Sequence, residues 1–211
     1  MATLDPTNQV SAALDLFTVA PMHQQALVDA LVGEQVAAWR GLPQFVSASV
    51  HHSRDRVRVF TYSQWRPRFD PRGLPQPAGL AEFFPADRHL LEVFAGRSRR
   101  DKPVTIAAGG GTVTHLAEFR MQPAQQPRFV ELAAGEVGRS LDAAPGLLSA
   151  TFHRSLDGAR AFNYGQWESE EAFRVILEQP GFNPNQGSYW DGVARNEFHL
   201  YDVAHVEDGP D

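Results

Sequence analysis

The 211-residue chain contains no cysteine. That excludes disulfides, thiolate nucleophiles, thiol-ligated zinc and cysteine-held iron–sulfur clusters. Lysine is almost missing too: Lys102 is the single one, and every other basic residue among the 19 is arginine. Acidic residues number 25, the formal net charge is −6, and no basic stripe is available to neutralise phosphates, so nucleic acid is not an expected partner. No apolar run approaches the roughly 18–20 residues of a membrane span. Met1 to Val10 lacks the basic patch and apolar core of a signal peptide. The expectation is a soluble, cytoplasmic protein without membrane contact. A hydrophobic content of 43%, with 14 Phe and 4 Trp, suffices for a packed core, in one large domain or two small ones.

What decides the organisation is an internal repeat. Ser47 to Trp65 aligns with Ser149 to Trp167 at a constant offset of 102, and ten of the 19 positions are identical, among them His51/His153, Phe60/Phe162, Tyr62/Tyr164, Gln64/Gln166 and Trp65/Trp167. The same offset pairs Leu14/Leu116, Phe17/Phe119, Gln24/Gln126 and Glu34/Glu136 without a gap. The chain therefore reads as a first module over residues 1–100, a linker over 101–112 and a second module over 113–211. Gly96 to Thr112, charged and then Gly-rich, has linker composition. Gly109–Gly111 precedes a strand, not the helix that a phosphate-cradling loop would need.

The second module reads as strand Thr114–Met121, helix Pro127–Leu141, a hairpin of Leu147–Arg154 and Ala159–Trp167 turning at Asp157-Gly158, a helix capped by Ser169 and ended by Pro180-Gly181, and a strand Arg195–Val206. That order, β-α-β-β-α-β, is the ferredoxin-like unit. The first module begins alike, with strand Leu14–Val19, helix Met22–Arg40 and a hairpin from Phe45 to Trp65. Beyond Trp65, five prolines (Pro67, Pro71, Pro75, Pro77, Pro85) rule out one long second helix. His89 to Phe94 is the expected fourth strand. The fold class is α+β, two ferredoxin-like modules whose antiparallel sheets pack as a pseudo-dimeric barrel.

The stretch GLLSATFHRSLDGARAFNYGQWESEEAF resembles the antibiotic biosynthesis monooxygenase family, of the dimeric α+β barrel superfamily. Its most specific part is the hairpin ending Asn163-Tyr164-x-x-Trp167. The resemblance covers the second copy and about two-thirds of the first. It implies a barrel closed between two sheets, here the two copies, and a pocket between sheet and helices lined by the Asn and Trp. It also implies oxidation of aromatic polyketide intermediates to quinones without a cofactor, molecular oxygen being the co-substrate. Haem degradation, another activity of the superfamily, would need an axial His on the helix after the Trp, and Glu168 to Gln179 contains none. Where some members carry a proton-donating Tyr on that helix, its apolar face here offers Phe173.

Strand alternation puts Asn163 and Trp167 on one face and Phe162, Tyr164 and Gln166 on the other. The resemblance makes Asn163 and Trp167 the catalytic candidates, with Arg195 entering from the last strand to stabilise a phenolate. Phe173, Trp65 and Thr61 are the substrate-binding candidates. A carboxamide can hold an oxyanion or peroxide, and an indole can stack on a planar substrate while its N–H donates; a core Trp and a satisfied strand amide remain the structural alternative. The first copy has Thr61 in place of Asn163, which points to a degenerate partner. His51 and His153 lack a second ligand at metal-like spacing, so each is expected to bond a strand neighbour, and no metal site is expected. Three functions stay open: an oxygenase acting on a polycyclic phenolic polyketide, a non-redox polyketide cyclase, and a non-catalytic small-molecule-binding pseudo-dimer. A small aromatic molecule is the expected partner, and a homodimer of the tandem chain is compatible with each.

Overall fold

The computed structural model describes residues 2–83, 86–100, 102–179 and 190–210. Its strands are β1 (Thr3–Leu4), β2 (Ser11–Thr18), β3 (Phe45–Ser53), β4 (Arg58–Trp65), β5 (Asp87–Ser98), β6 (Val104–Thr105), β7 (Val113–Arg120), β8 (Leu147–Ser155), β9 (Arg160–Trp167) and β10 (Arg195–Asp208). Helix α1 (Gln24–Ala30) runs through a π-helical stretch, Leu31–Val36, into α2 (Ala37–Arg40); its counterpart α3 (Gln126–Ala143) is regular throughout. After β9, Ser169 accepts the amide of Ala172 and starts α4 (Glu170–Leu177), with Glu170 and Glu171 in the favourable first turn. The expected stop at Pro180-Gly181, and Pro85 of the proline-rich segment, lie outside the described residues. No described helix is long and apolar enough to cross a membrane.

Eight strands close one antiparallel barrel in the order β10-β3-β4-β2-β5-β8-β9-β7. The copies close it together: β5 of the first pairs with β8 of the second, and β10 of the second with β3 of the first. The repeat is exact in register, since Phe45 opposes Trp65 and Ser47 opposes Gln64, as Leu147 opposes Trp167 and Ser149 opposes Gln166. The proposed linker is more structured than its composition suggested. Gly96 to Ser98 belong to β5, opposite Thr151 to Ser149, and β6 pairs with β1, Thr3 opposing Thr105. The reason is apolar burial: Ala2, Leu4, Val104 and Ile106 join the lumen cluster of Leu14, Phe60, Tyr62, Leu116, Phe162 and Tyr164. Gln64 and Gln166 each donate 2.8 Å to this ribbon, at the carbonyls of Thr3 and Thr105. Burying each lumen Phe contributes about 2–3 kcal/mol.

His51 and His153 are polar residues of that lumen. Each meets a tyrosine of the other copy: His51 Nε2 lies 3.0 Å from Tyr164 Oη, and His153 Nε2 lies 3.2 Å from Tyr62 Oη. Strand pairing alone could not announce this, because the contact spans the barrel. Among the described residues no group of three His, Asp or Glu could hold a metal.

The helices cover the outside of the barrel. In the first copy the proline-rich segment packs where α4 stands in the second, folded as short 3-10 turns at Pro71–Gly73 and Ala78–Phe83. It places Phe69, Leu74, Leu80 and Phe83 against Trp39 and Trp65. Gly79 donates its amide to Glu34 Oε2 at 3.1 Å, and a Cβ there would collide with that carboxylate.

Candidate active site

Along β7 the alternation turns His115, Ala117 and Phe119 towards the helices; along β9 it does the same for Asn163 and Trp167. Between that face, α3 and α4 lies a cavity of about 80 Å³. Phe119, Phe152, Trp190 and Phe198 form its aromatic wall. Phe173, Ile176 and Leu177 of α4 close it, and Glu136 and Ser140 of α3 border it. Phe173 stands edge-on to Trp167 with ring centroids 5.2 Å apart. The Glu136 carboxylate, 6% exposed, pairs with Arg139.

Two buried polar atoms of the cavity-lining residues have no partner: Asn163 Oδ1 and Trp167 Nε1. Leaving a buried donor or acceptor unbonded costs about 1–3 kcal/mol each, and where such an atom lines a cavity a ligand can complete its hydrogen bonding. Close to them stands His115, whose ring packs on Phe173 and Phe198 at 4.8 and 5.5 Å. Burial pushes its imidazole down to about 3, so the ring is neutral at physiological pH. A neutral imidazole offers one donor and one acceptor nitrogen. The wall thus presents a carboxamide, an indole N–H and a neutral imidazole to an otherwise apolar space.

Of the residues singled out from sequence, Asn163, Trp167 and Phe173 meet here. Arg195 does not. Side chains alternate along β10, so Asn196 and Phe198 face the cavity. Arg195, opposite Arg120 in the β7 pairing, lines an open surface cleft with Arg120 and Arg160. Parity could have shown this once Asn196 was placed opposite Phe119. Trp65 and Thr61 lie in the first copy, on β4, across the barrel from β9, and Thr61 Oγ1 is itself buried without a partner. Trp65 packs at 5.2 Å from Trp39, 5.4 Å from Phe45 and 5.0 Å from Phe69. Beside Thr61, the opposing Asp15 is bound by Arg88 at 2.7 Å and Gln35 at 3.3 Å, where the second copy has Ala117. Sequence reasoning missed His115, Asn196 and the Trp190 wall; His115 carried a signal, since its repeat mate is Ala13.

The family model for antibiotic biosynthesis monooxygenases matches residues 112–183, the copy that holds this cavity. Tetracenomycin-F1 monooxygenase of Streptomyces glaucescens is 40% identical over 84 residues, which are 40% of this chain and 75% of that protein. Among solved structures, an anthrone oxidase-like protein superposes with a TM-score of 0.77 at 17% identity, covering 100% of this chain and 98% of its own. A monooxygenase-like structure from Fusobacterium nucleatum gives 0.61 at 9% identity, covering 96% and 95%. At that identity the structural likenesses speak for the fold alone: the barrel that one chain closes here is shared over its full length. The sequence match is the stronger statement, and by it the chain belongs to the antibiotic biosynthesis monooxygenase family.

Proposed function

We propose that the protein is a cytoplasmic, cofactor-independent oxygenase that converts a polycyclic phenolic polyketide to a quinone at the cavity of its second copy. The observation that carries this reading is the pair of unpartnered atoms, Asn163 Oδ1 and Trp167 Nε1, buried in one aromatic-walled space. A relative 40% identical over 84 residues is named for action on a tetracenomycin, and the family model matches this copy, residues 112–183.

The chemistry asks for little beyond these groups. A phenol whose para carbon bears hydrogen reacts with O₂ to give a quinone and water; one oxygen atom becomes the new carbonyl and the other leaves as water. All the electrons come from the substrate. What the chain supplies is a hydrogen bond from the Trp167 N–H to the phenolate oxygen, an amide at Asn163 for the second oxygen function, and exclusion of water by the Phe and Trp wall. A pocket for a drug-sized ligand holds about 300 Å³ or more. The wall on the α4 side, which touches the sheet mainly through Phe173 and Ile176, is therefore expected to yield on binding.

The test is a matched pair of substitutions followed by oxygen uptake on an anthrone or naphthacenone probe. Asn163→Ala should slow turnover roughly 10- to 100-fold, because its Oδ1 is the acceptor for a substrate O–H, and leaving that buried group unpaired costs about 1–3 kcal/mol. Thr61→Ala, the same cut in the first copy, should leave the rate unchanged. Equal losses from both would mean two working sites; an unaffected Asn163→Ala would remove this site assignment. Product formation without oxygen uptake would favour the cyclase reading instead.

A further inference from the structure

The repeat offers a control inside the molecule, because the two copies hold the same tryptophan in the same register with different surroundings. In the first copy the Trp65 N–H donates to Ser63 Oγ at 2.9 Å. In the second copy the position of Ser63 is taken by Gly165, and the Trp167 N–H has no partner. Across β7 from Gly165 stands His115, where the first copy has Ala13 opposite Ser63. A Cβ built on Gly165 would lie 3.3 Å from both His115 Nδ1 and Trp167 Nε1. Both nitrogens therefore converge on the space that a serine side chain would occupy.

We propose that the pair His115 and Gly165 is what makes the second copy a binding site. Gly165 withholds the internal acceptor that silences the indole in the first copy, and His115 is a positioning residue that, with Trp167, recognises the oxygen edge of the substrate. This rests on the cavity being the site of Proposed function. It adds the specificity: the edge that fits must present an acceptor oxygen to the Trp167 N–H, with a neighbouring hydroxyl or carbonyl oxygen in reach of the His115 ring. A ketone or phenolate flanked by a hydroxyl has that arrangement. The physical reasons are general. A buried N–H already bonded inside the protein gains nothing from a ligand, whereas an orphaned one gains a hydrogen bond the free protein lacks. A site built to bond two oxygens discriminates strongly against an analogue lacking one, because a buried group is then left unpaired.

The first copy also shows that the alternative arrangement folds, so the decisive variant is its transplant, His115→Ala with Gly165→Ser. Neither residue is needed for the barrel, and the single Gly165→Ser would crowd His115. Three variants are compared with the wild-type full chain: His115→Ala, the double variant, and Trp167→Phe to assign the indole resonance. The first readout needs no ligand. In ¹⁵N spectra of the four indoles, the Trp167 N–H should shift downfield in the double variant and exchange more slowly with deuterium, towards the behaviour of Trp65. An unmoved and unprotected resonance, with the fold intact by circular dichroism, overturns the proposal whatever the substrate is. The second readout is binding of 1,8-dihydroxyanthrone and of its analogue without hydroxyls. We expect the wild type to prefer the dihydroxy compound at least 10-fold in Kd, His115→Ala to lose most of that preference and, in turnover of the same compound, to change KM more than kcat, and the double variant to bind neither measurably. Retention of the full preference by His115→Ala overturns the role of His115. If the wild type ignores both compounds, the substrate class of Proposed function fails, and the indole resonance alone decides the proposal.

Discussion

The two His–Tyr contacts inside the barrel make stability depend on pH in a direction that can be worked out. Burial, aided by the neighbouring His52, pushes His51 down to about 3; burial brings His153 to about 4. In the unfolded chain each titrates near 6.5. Between those limits the unfolded chain binds more protons than the folded one, so stability is complete above 6.5 and is lost as the pH falls. At pH 5 the unfolded imidazoles are almost fully charged and the folded ones almost wholly neutral, a difference of about 2 kcal/mol for each and about 4 kcal/mol for the pair. In a chain of this length 1 kcal/mol moves Tm by about 2–4 °C, so the pair should lower Tm by roughly 8–16 °C between pH 7.5 and 5. His115, neutral for the same reason, adds to the slope. Scanning calorimetry of the wild type and of a His51→Gln, His153→Gln variant separates the contributions, because glutamine can meet the tyrosine hydroxyls without titrating. Asp55, Asp87 and Asp157, held below their ordinary 3.8, act at lower pH and in both proteins alike. Parallel Tm profiles for the two proteins from pH 7.5 to 5 would refute the argument.

Two further outcomes follow from the packing. Residues 1–100 and 110–211 expressed separately should fail to give stable monomers with native circular dichroism, since β5 pairs with β8 and β10 with β3 across the copies; two soluble, native-like monomers would contradict the shared barrel. Asp15→Ala leaves Arg88, with its side chain 15% exposed, without its carboxylate. Urea denaturation should show a loss of about 3–5 kcal/mol, and a loss below about 1 kcal/mol would mean that solvent reaches the pair.

Much of this architecture was legible because the repeat is gapless. The offset of 102 located both hairpins, the proline-rich departure after Trp65 and the unequal copies; Ser169 announced α4; strand parity put Asn163 beside Trp167. What escaped depended on partners that only closure of the barrel brings together. His51 and His153 meet tyrosines of the opposite copy, and no local pattern encodes that contact. The resemblance brings Arg195 into the site from the last strand, whereas its parity is fixed by the pairing of Asn196 with Phe119. The stretch after β5 read as linker by composition, yet Val104 and Ile106 bury themselves in the lumen against β1. His115 passed as one strand residue among several; comparing it with Ala13 is what gives it meaning.

The order of strands around the barrel has a consequence for how the chain is made. Neighbours in space are seldom neighbours in synthesis: β3 waits for β10, some 150 residues later, before its second edge is covered, and β5 waits for β8. A ribosome emitting this chain exposes an unpaired edge and a half-open apolar lumen for most of translation, which at about 5–20 residues per second lasts on the order of ten seconds or more. Such long-range closure slows folding and leaves time for edge-to-edge association between nascent chains. The buried polar atoms of Tyr62, Tyr164, His51 and His153 work against that hazard, because a mispaired sheet would bury them without their cross-copy partners. Fusing the two copies in one chain shortens the search further, turning the meeting of two molecules into an encounter whose effective concentration is set by a short tether.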